Sequence, residues 1–329
     1  MKALQRGLAR AVPPMARKVE RDEHGNKLPR RTRRERFLSE MDAVIPWRRL
    51  IALVEPHYPK PGNGRPPQPL ETMLRIHFLQ QFFNLSDPAA EDALYDSRSM
   101  ARFARVKADV TGVPDESTIL RFRHLLERHE LGSAIFEAIN AHLGERELIV
   151  RSGTIVDATL IEAPPSTKNR EKARDPEMHQ TRKGRQWYFG MKLHAGSDLN
   201  GIVHTLTATD AAQSDIGQLA DLLHGQEREL YGDQAYWSGF HRDCARASGI
   251  RYRVNRRAAP GKKLTERERQ RNRLCSMRRA RGEHPFGVIK HLWGFRKVRY
   301  RGIAKNLSRA KVAFGLSNLY RLRGVLLGA

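Results

Sequence analysis

The strongest constraint on the fold is a change in the hydrophobic pattern near residue 148. Between residues 37 and 147, apolar residues recur at the spacing of amphipathic helices, as in the run from Leu70 to Gln81. From residue 154 onward, short β-branched and apolar runs alternate with helical segments. The predicted order there is strand, strand, strand, helix, strand, helix, strand, helix. Such an order indicates a mixed sheet flanked by helices, an α/β fold preceded by an all-helical region.

Local signals set the predicted boundaries. Asp198-Leu199-Asn200-Gly201 predicts a hairpin turn between the second and third strands. The order of elements is that of a ribonuclease H-like domain, in which the first and fourth strands are neighbours. The predicted strands cover residues 154–161, 186–194, 201–208, 230–233 and 250–254, and the predicted helices cover 214–224, 240–247, 264 onward and 310–327.

The charge of the chain indicates a polyanionic partner. There are 60 Lys and Arg residues against 36 Asp and Glu residues, which gives a formal net charge of +24. A polyanion releases counterions when it binds such a surface, so nucleic acid is the leading candidate and an acidic membrane surface the second. A packaging protein is a further alternative, but chains of that class are usually shorter and poorer in acidic residues.

Cysteine spacing and hydropathy predict reduced thiols, no membrane span and no signal peptide. Cys244 and Cys275 have no zinc-site spacing and are expected to be reduced. No apolar run approaches the ~18 residues of a membrane span, and the basic N-terminus lacks the apolar stretch of a signal peptide. We therefore expect no membrane partner and a cytoplasmic protein of bacterial type, associated with the nucleoid when it is bound to DNA.

Pattern and charge together divide the chain into three segments. Residues 1–36 are polar and basic and are predicted to form a flexible arm that contacts phosphates, with a merely solvated tail as the alternative. Residues 37–147 are predicted to form a DNA-binding domain of five or six helices. Residues 148–329 are predicted to form a ribonuclease H-like catalytic domain with a C-terminal helix.

Three acidic residues stand where such a sheet would bring them together. Asp157 lies inside the first strand, Asp233 ends the short fourth strand, and Glu283 lies near the start of a helix predicted over 286–293. A charged residue within an apolar strand is paired, bound to a metal or at an exposed strand end. Each acid alone also fits a structural role, as a paired strand residue, a turn cap or a solvated helix residue. Carboxylates suit two Mg²⁺ ions, with Mn²⁺ as a substitute, that promote displacement at phosphorus.

Two strand segments and one helical signature resemble those of a known family. The chain is similar to DDE transposases of the insertion-sequence-5 group, within the wider insertion-sequence-4-like families. Residues 40–130 resemble the helical N-terminal domain of those proteins. The matching catalytic segments are Gly153-Thr154-Ile155-Val156-Asp157-Ala158-Thr159, Tyr231-Gly232-Asp233-Gln234-Ala235-Tyr236, and the Arg-x3-Glu-x6-Lys signature formed by Arg279, Glu283 and Lys290.

This resemblance implies a chemistry and a set of partners. It implies an enzyme that binds the terminal inverted repeats of a transposon, cuts a strand and joins the 3′-OH to target DNA. The implied catalytic and metal-binding residues are Asp157, Asp233 and Glu283, and the implied partners are double-stranded DNA and a second copy of the chain in the synaptic complex. Candidate DNA contacts are the two cations of the signature and a basic segment before the second strand: Arg279, Lys290, Lys168, Arg170, Arg182, Lys183 and Arg185.

Two departures from the family pattern leave alternatives open. Ser276 stands where the wider pattern often has a Tyr, so no phosphate contact is expected there. Pro285 disfavours helix at the preceding residue, so the helix either kinks there or begins there, and Arg279 shares a face with Glu283 only in the first case. Two other functions also fit: a metal-dependent nuclease on the same fold without strand transfer, and a non-catalytic DNA-binding protein derived from a transposase.

Overall fold

The computed structural model describes residues 31–63, 66–106, 112–168, 170, 172–259 and 261–328. Within these residues the first half of the chain forms seven α-helices, one more than the upper expectation. Residues 1–30 of the predicted arm lie outside the described residues, and its last residues already belong to the first helix. The helices are α1 (Arg33–Val44), α2 (Trp47–Val54), α3 (Leu70–Phe83), α4 (Asp87–Asp96), α5 (Arg98–Ala104), α6 (Glu116–Arg128) and α7 (Leu131–Gly144).

Side-chain caps and burial explain where these helices begin and how they pack. The Ser86 hydroxyl accepts a hydrogen bond from the Ala89 amide at the start of α4, and Asp115 accepts one from the Thr118 amide at the start of α6. Helix α3 is buried from Thr72 to Phe82 on all sides. A helix buried all round belongs at the centre of its bundle, and α2, α4, α5 and α6 pack against α3.

The second half of the chain forms a six-stranded mixed sheet. Its strands run in the order β2-β3-β1-β5-β6, with β4 paired to β3. Strand β1 is antiparallel to β3 and parallel to β5, so the predicted neighbourhood of the first and fourth apolar strands is confirmed. The strands are β1 (Gly153–Glu162), β2 (His179–Lys183), β3 (Gln186–Ser197), β4 (Val203–Asp210), β5 (Glu229–Tyr231) and β6 (Arg251–Tyr252).

Two local expectations were wrong. Strand β2 lies in the segment predicted to be a basic loop, because it pairs with β3 through backbone register and buries almost nothing. The helix predicted over 214–224 is replaced by two short 3₁₀ turns, Asp215–Gln218 and Ala220–Leu222. Leu219 and Leu222 are both buried, and a spacing of three residues suits the period of a 3₁₀ turn.

Three helices complete the C-terminal half: α8 (Gly239–Ala247), α9 (Glu266–Gly287) and α10 (Ile303–Leu326). Thr265 and Glu268 form a capping box at the start of α9, and a π-helical turn, Val288–Leu292, follows its end. The predicted helix start near Glu283 was therefore wrong, since Glu283 lies in the last turns of a helix that begins 17 residues earlier at Glu266. Among the described helices, none is both long enough and apolar enough to cross a bilayer.

Helix α10 joins the two halves of the molecule. It packs against α7 of the helical region and against β4 of the sheet. Its residues from Ala310 to Leu319 are buried, with the exception of Lys311, in a hydrophobic core that continues from the helices onto one face of the sheet. Because this core is shared, the sheet and the helical region hold each other in place.

Candidate active site

Parallel pairing of β1 with β5 brings Asp157 and Asp233 to the same end of two neighbouring strands. Ile155 on β1 lies opposite Tyr231 on β5. Asp157 and Asp233 each follow two residues later, so both carboxylates leave the sheet at the same level. The Asp233 side chain accepts a hydrogen bond from the Ala235 amide at 2.8 Å, which fixes the turn that follows β5.

A glycine brings α9 against β1 beside these acids. A Cβ atom at Gly282 would lie 2.7 Å from the Ile155 side chain, closer than a packed carbon can stand. The absence of a side chain at Gly282 therefore allows the helix backbone to rest on the strand. Ile155 is two residues before Asp157 in β1, and Glu283 follows Gly282, so this contact carries Glu283 to the acids of the sheet.

Pro285 does not break the helix that carries Glu283. Proline has no N–H to donate to the carbonyl of Arg281, one turn earlier. The backbone of Gly201, in the turn between β3 and β4, packs directly on that carbonyl, and any Cβ at Gly201 would collide with it. With a φ of 79°, Gly201 also occupies a conformation that favours glycine. The helix continues through Pro285, and Arg279 shares a face with Glu283.

Arg279 connects two of the three acids. Its Nη1 atom lies 3.4 Å from Asp157 Oδ2, and its Nη2 atom lies 2.7 Å from Glu283 Oε1. The Arg279 and Asp157 side chains are 20% and 16% exposed, whereas Glu283 is 54% exposed. The pair with Asp157 is thus shielded from water, and the pair with Glu283 opens toward solvent.

Burial and the neighbouring negative charges disfavour the ionised form of Asp157. Burial is the largest cause that raises its pKa from 3.8 to about 6. The negative charges of Asp233 and Glu283 raise this pKa further, while Arg279 and the Ala158 amide lower it. Because both other acids influence Asp157, the three carboxylates share one electrostatic site. Such a site favours any cation that can neutralise it.

Comparison with known families identifies the family of the chain. The family described as "Transposase DDE domain" matches residues 149–319, and the family described as "Transposase domain (DUF772)" matches residues 26–125. The first match covers about half of the chain and contains all three acids.

The chain belongs to the DDE transposase family.

The ribonuclease H-like fold expected from the order of elements agrees with this membership. No solved structure matches the chain.

The acids of the transposase face a pocket of about 920 Å³ whose rim is basic. Lys290 lies in its wall, where the ammonium donates to Thr159 Oγ1 at 3.0 Å and to the Leu160 carbonyl at 2.8 Å. Burial lowers the pKa of Lys290. Arg182 and Lys183 of β2 also line the pocket. Cations therefore line the same pocket as the acids.

The remaining predicted DNA contacts lie farther out. Arg185 is exposed in the turn between β2 and β3. Lys168 and Arg170 are exposed in the long connection between β1 and β2, and neither lines the acid pocket. Their roles in DNA binding stay predictions.

Sequence reasoning missed one ion pair in the pocket of the transposase. Lys192 on β3 donates to Asp215 at 2.8 Å and to the Gln213 carbonyl at 2.7 Å, and both charged side chains line the pocket. The signal was present, because Lys192 is flanked by Met191 and Leu193 in an otherwise apolar strand. A lysine in such a strand requires a partner, as Asp157 does.

The donor chemistry of the site fits a divalent cation, as the DDE family generally requires. Carboxylate oxygens are the hard ligands that Mg²⁺ prefers, and Asp233 and Glu283 lie close enough to Asp157 to add to the rise in its pKa that burial causes. Among the described residues, no group of three or more His, Cys, Asp or Glu side chains already has a metal-holding arrangement. In the structure the Arg279 guanidinium supplies the positive charge between Asp157 and Glu283.

Proposed function

We propose that this transposase cuts DNA at the terminal inverted repeats of a mobile element and joins the resulting 3′-OH to target DNA. The observation that carries the proposal is the convergence of Asp157, Asp233 and Glu283, from β1, the end of β5 and α9, on one pocket with a basic rim. Family membership supports DNA transposition as the process. The three acids support phosphoryl chemistry without a nucleophilic side chain.

Asp157, Asp233 and Glu283 are the residues proposed to hold two Mg²⁺ ions, or Mn²⁺ in their place. When bound, the ions would activate the attacking oxygen and stabilise the leaving oxygen at phosphorus. The acids supply the negative charge for this purpose, and burial of Asp157 prevents water from screening that charge. Arg182, Lys183, Lys290 and Arg279 line the same pocket and are proposed to bind the phosphates beside the reacting one.

The helical region, residues 37–147, is proposed to bind DNA and to position the element's ends. The match of the "Transposase domain (DUF772)" family to residues 26–125 supports a role in the same process. Two copies of the chain are proposed to act together in the synaptic complex, since two element ends must be joined to one target.

Single replacements of the acids test this proposal. Asp157→Ala, Asp233→Ala and Glu283→Ala are each expected to abolish metal-dependent cleavage of a labelled duplex that carries the element's end. Asp243→Asn is the control, because this acid is exposed on α8 and pairs only with its neighbour Arg242. Cleavage retained by any of the three Ala variants would contradict the role of that residue.

The products distinguish transposition from simple nuclease activity. A transposase is expected to convert the labelled strand into a longer species covalently joined to an added target duplex. Hydrolysis without any joined product would instead favour a ribonuclease H-like nuclease. Intact binding without cleavage would favour a non-catalytic DNA-binding protein.

A further inference from the structure

A second basic groove lies on the flank of α9 that faces away from the acid pocket. It has a volume of about 690 Å³ and lies between α9 and the short strands β5 and β6. Arg278 lines this groove, whereas Arg279 lines the acid pocket. Consecutive helical residues point about 100° apart, so the body of α9, about 10–12 Å wide, separates the two surfaces.

Four arginines line the groove, and its described lining residues include no carboxylate. Two of the four are used by the fold. Arg271 donates to the carbonyls of Tyr252 and Val254, which ties α9 to the edge strand, and Arg281 donates to the turn after β3. These two arginines are therefore structural.

The other two arginines are uncommitted. Neither Arg253 nor Arg278 has a side-chain hydrogen bond or an ion pair with another described residue. Both guanidiniums lie near the phenol of Tyr231, and each lowers a pKa that burial and the Glu229 carboxylate raise to about 12. Glu229 accepts the phenol's hydrogen bond at 2.7 Å and pairs with Arg251, so it pairs with neither arginine of the groove. Two like charges held in one groove repel each other, and an anion placed between them relieves that repulsion.

The rim of the groove narrows the choice of anion. Leu274 and Met277 are 61% and 68% exposed beside the arginines. Apolar contacts next to guanidiniums suit a deoxyribose-phosphate backbone better than a free phosphate ion. A second copy of this chain fits poorly, because each copy carries a formal net charge of +24.

We propose that this groove binds the phosphate backbone of a second DNA segment, distinct from the strand that reacts at the acids. The proposal rests on the proposed function, since a joining reaction requires the enzyme to hold two DNA segments at once. Arg253 and Arg278 each contact one phosphate, and Arg271 and Arg281 hold the walls of the groove in place.

Equilibrium binding of a labelled nonspecific duplex over a series of NaCl concentrations tests the groove directly. Each lost phosphate contact reduces the slope of log K against log salt by about 0.9. The variant Arg253→Gln/Arg278→Gln is expected to reduce that slope by about 2 and to weaken binding at low salt. Its far-UV circular dichroism and thermal midpoint are expected to match those of the wild type, because neither side chain supports the fold.

The matched control is Arg273→Gln, on the same helix. Arg273 is exposed five residues from Arg278 and lines neither the groove nor the acid pocket. The control is expected to change the slope by much less than Arg278→Gln does. An equal change in both single variants would overturn the groove in favour of diffuse charge, and an unchanged slope in the double variant would also overturn it.

The binding assay is independent of catalysis. If the wild-type chain cuts no DNA, the proposed function fails while the slope measurement still decides the groove. Sedimentation of the double variant tests the remaining candidate for the groove, a second copy of this chain. If the variant loses self-association and its salt slope is unchanged, the groove is an interface between chains and the proposal is wrong.

Discussion

The helical region and the α9 side of the sheet are both rich in arginine, but they use it in opposite ways. In the helical region Arg75 is completely buried, with Asp42 and Glu71 at 2.7 and 2.9 Å and the Trp47 ring 3.9 Å away. On α9 and β6, Arg278 and Arg253 face an open groove without such partners. The first arrangement stabilises a bundle, and the second leaves charge available for a ligand. The net charge of the chain therefore indicates a polyanionic partner. Which arginines are unpaired indicates where on the surface that partner can bind.

The largest expected effect comes from replacing an arginine of the helical region whose charge is paired. Arg75→Ala leaves a buried cavity and removes a cation from the Trp47 ring, so we expect a loss of about 3–4 kcal/mol in the free energy of unfolding. Asp42 and Glu71 add little to this loss, because they are 40% and 28% exposed and Glu71 keeps its pair with Arg105. Urea denaturation monitored by circular dichroism measures this. The matched control Arg278→Ala, from the open region, is expected to stay within about 0.5 kcal/mol. Equal losses in the two variants would remove the distinction between the regions.

An intermediate effect, of opposite sign, is expected at the acid site. The folded-state pKa of Asp157 is raised to about 6, so the buried carboxylate binds its proton more tightly than in the unfolded chain. Its contribution to stability is fully present below pH 3.8 and is lost as pH rises through 6. Asp157→Asn should therefore raise the free energy of unfolding by roughly 2–3 kcal/mol above pH 6 in metal-free buffer. The gain should vanish near pH 3.5.

Unfolding curves at several pH values check this prediction. Asp243→Asn serves as the control, because arginine neighbours lower the pKa of that exposed carboxyl and its replacement offers no such gain. A destabilised Asp157→Asn variant at pH 7 would show that the Arg279 contact outweighs burial. In that case the ion pair of Asp157 with Arg279 would stabilise the fold, as the ion pairs of Arg75 do in the helical region.

The smallest expected effect is the loss of one helix cap, and two helices allow a comparison of its consequences. Thr265 caps α9 and Thr32 caps α1, each by accepting a hydrogen bond from an amide three residues later. Replacement by Ala costs about 1 kcal/mol at such positions. The first half of α9 buries almost nothing, so Thr265→Ala is expected to accelerate amide exchange about fivefold in that half alone.

Thr32→Ala is instead expected to reduce the stability of the whole bundle, because α1 buries Leu38, Met41 and Val44 in the common core. Hydrogen exchange followed by mass spectrometry separates local from global opening. If Thr265→Ala also lowers the global unfolding free energy by about 1 kcal/mol, then α9 is as integral to the fold as the bundle helices are.

The sequence predicted those parts of the fold that its apolar periodicity records. The adjacency of β1 and β5 was expected because the order of elements is that of a ribonuclease H-like domain, and it brings Asp157 and Asp233 to the same end of the sheet. Strand β2 was missed because its side chains are mostly exposed and only its backbone pairs with β3. No side-chain pattern reports such a strand.

The course of α9 was missed for a different reason. Pro285 is a strong local signal to begin or bend a helix, but Gly201 packs on the carbonyl that proline leaves free. That contact joins residues far apart in the chain, so local rules cannot detect it. The link from Arg279 to both Asp157 and Glu283 depends on it in turn. Local motifs and the family resemblance thus singled out the three acids as candidates, while long-range packing supplies their geometry.

The backbone contacts of Gly282 and Gly201 have a consequence for how this helix can evolve. They fix the height of Glu283 above the sheet without using any solvent-facing side chain of α9. Mutations along the outer surface of the helix can therefore accumulate without displacing Glu283. Variation among related chains should therefore spare Gly201 and Gly282, together with the structural Arg271 and Arg281, before it spares Arg253 and Arg278.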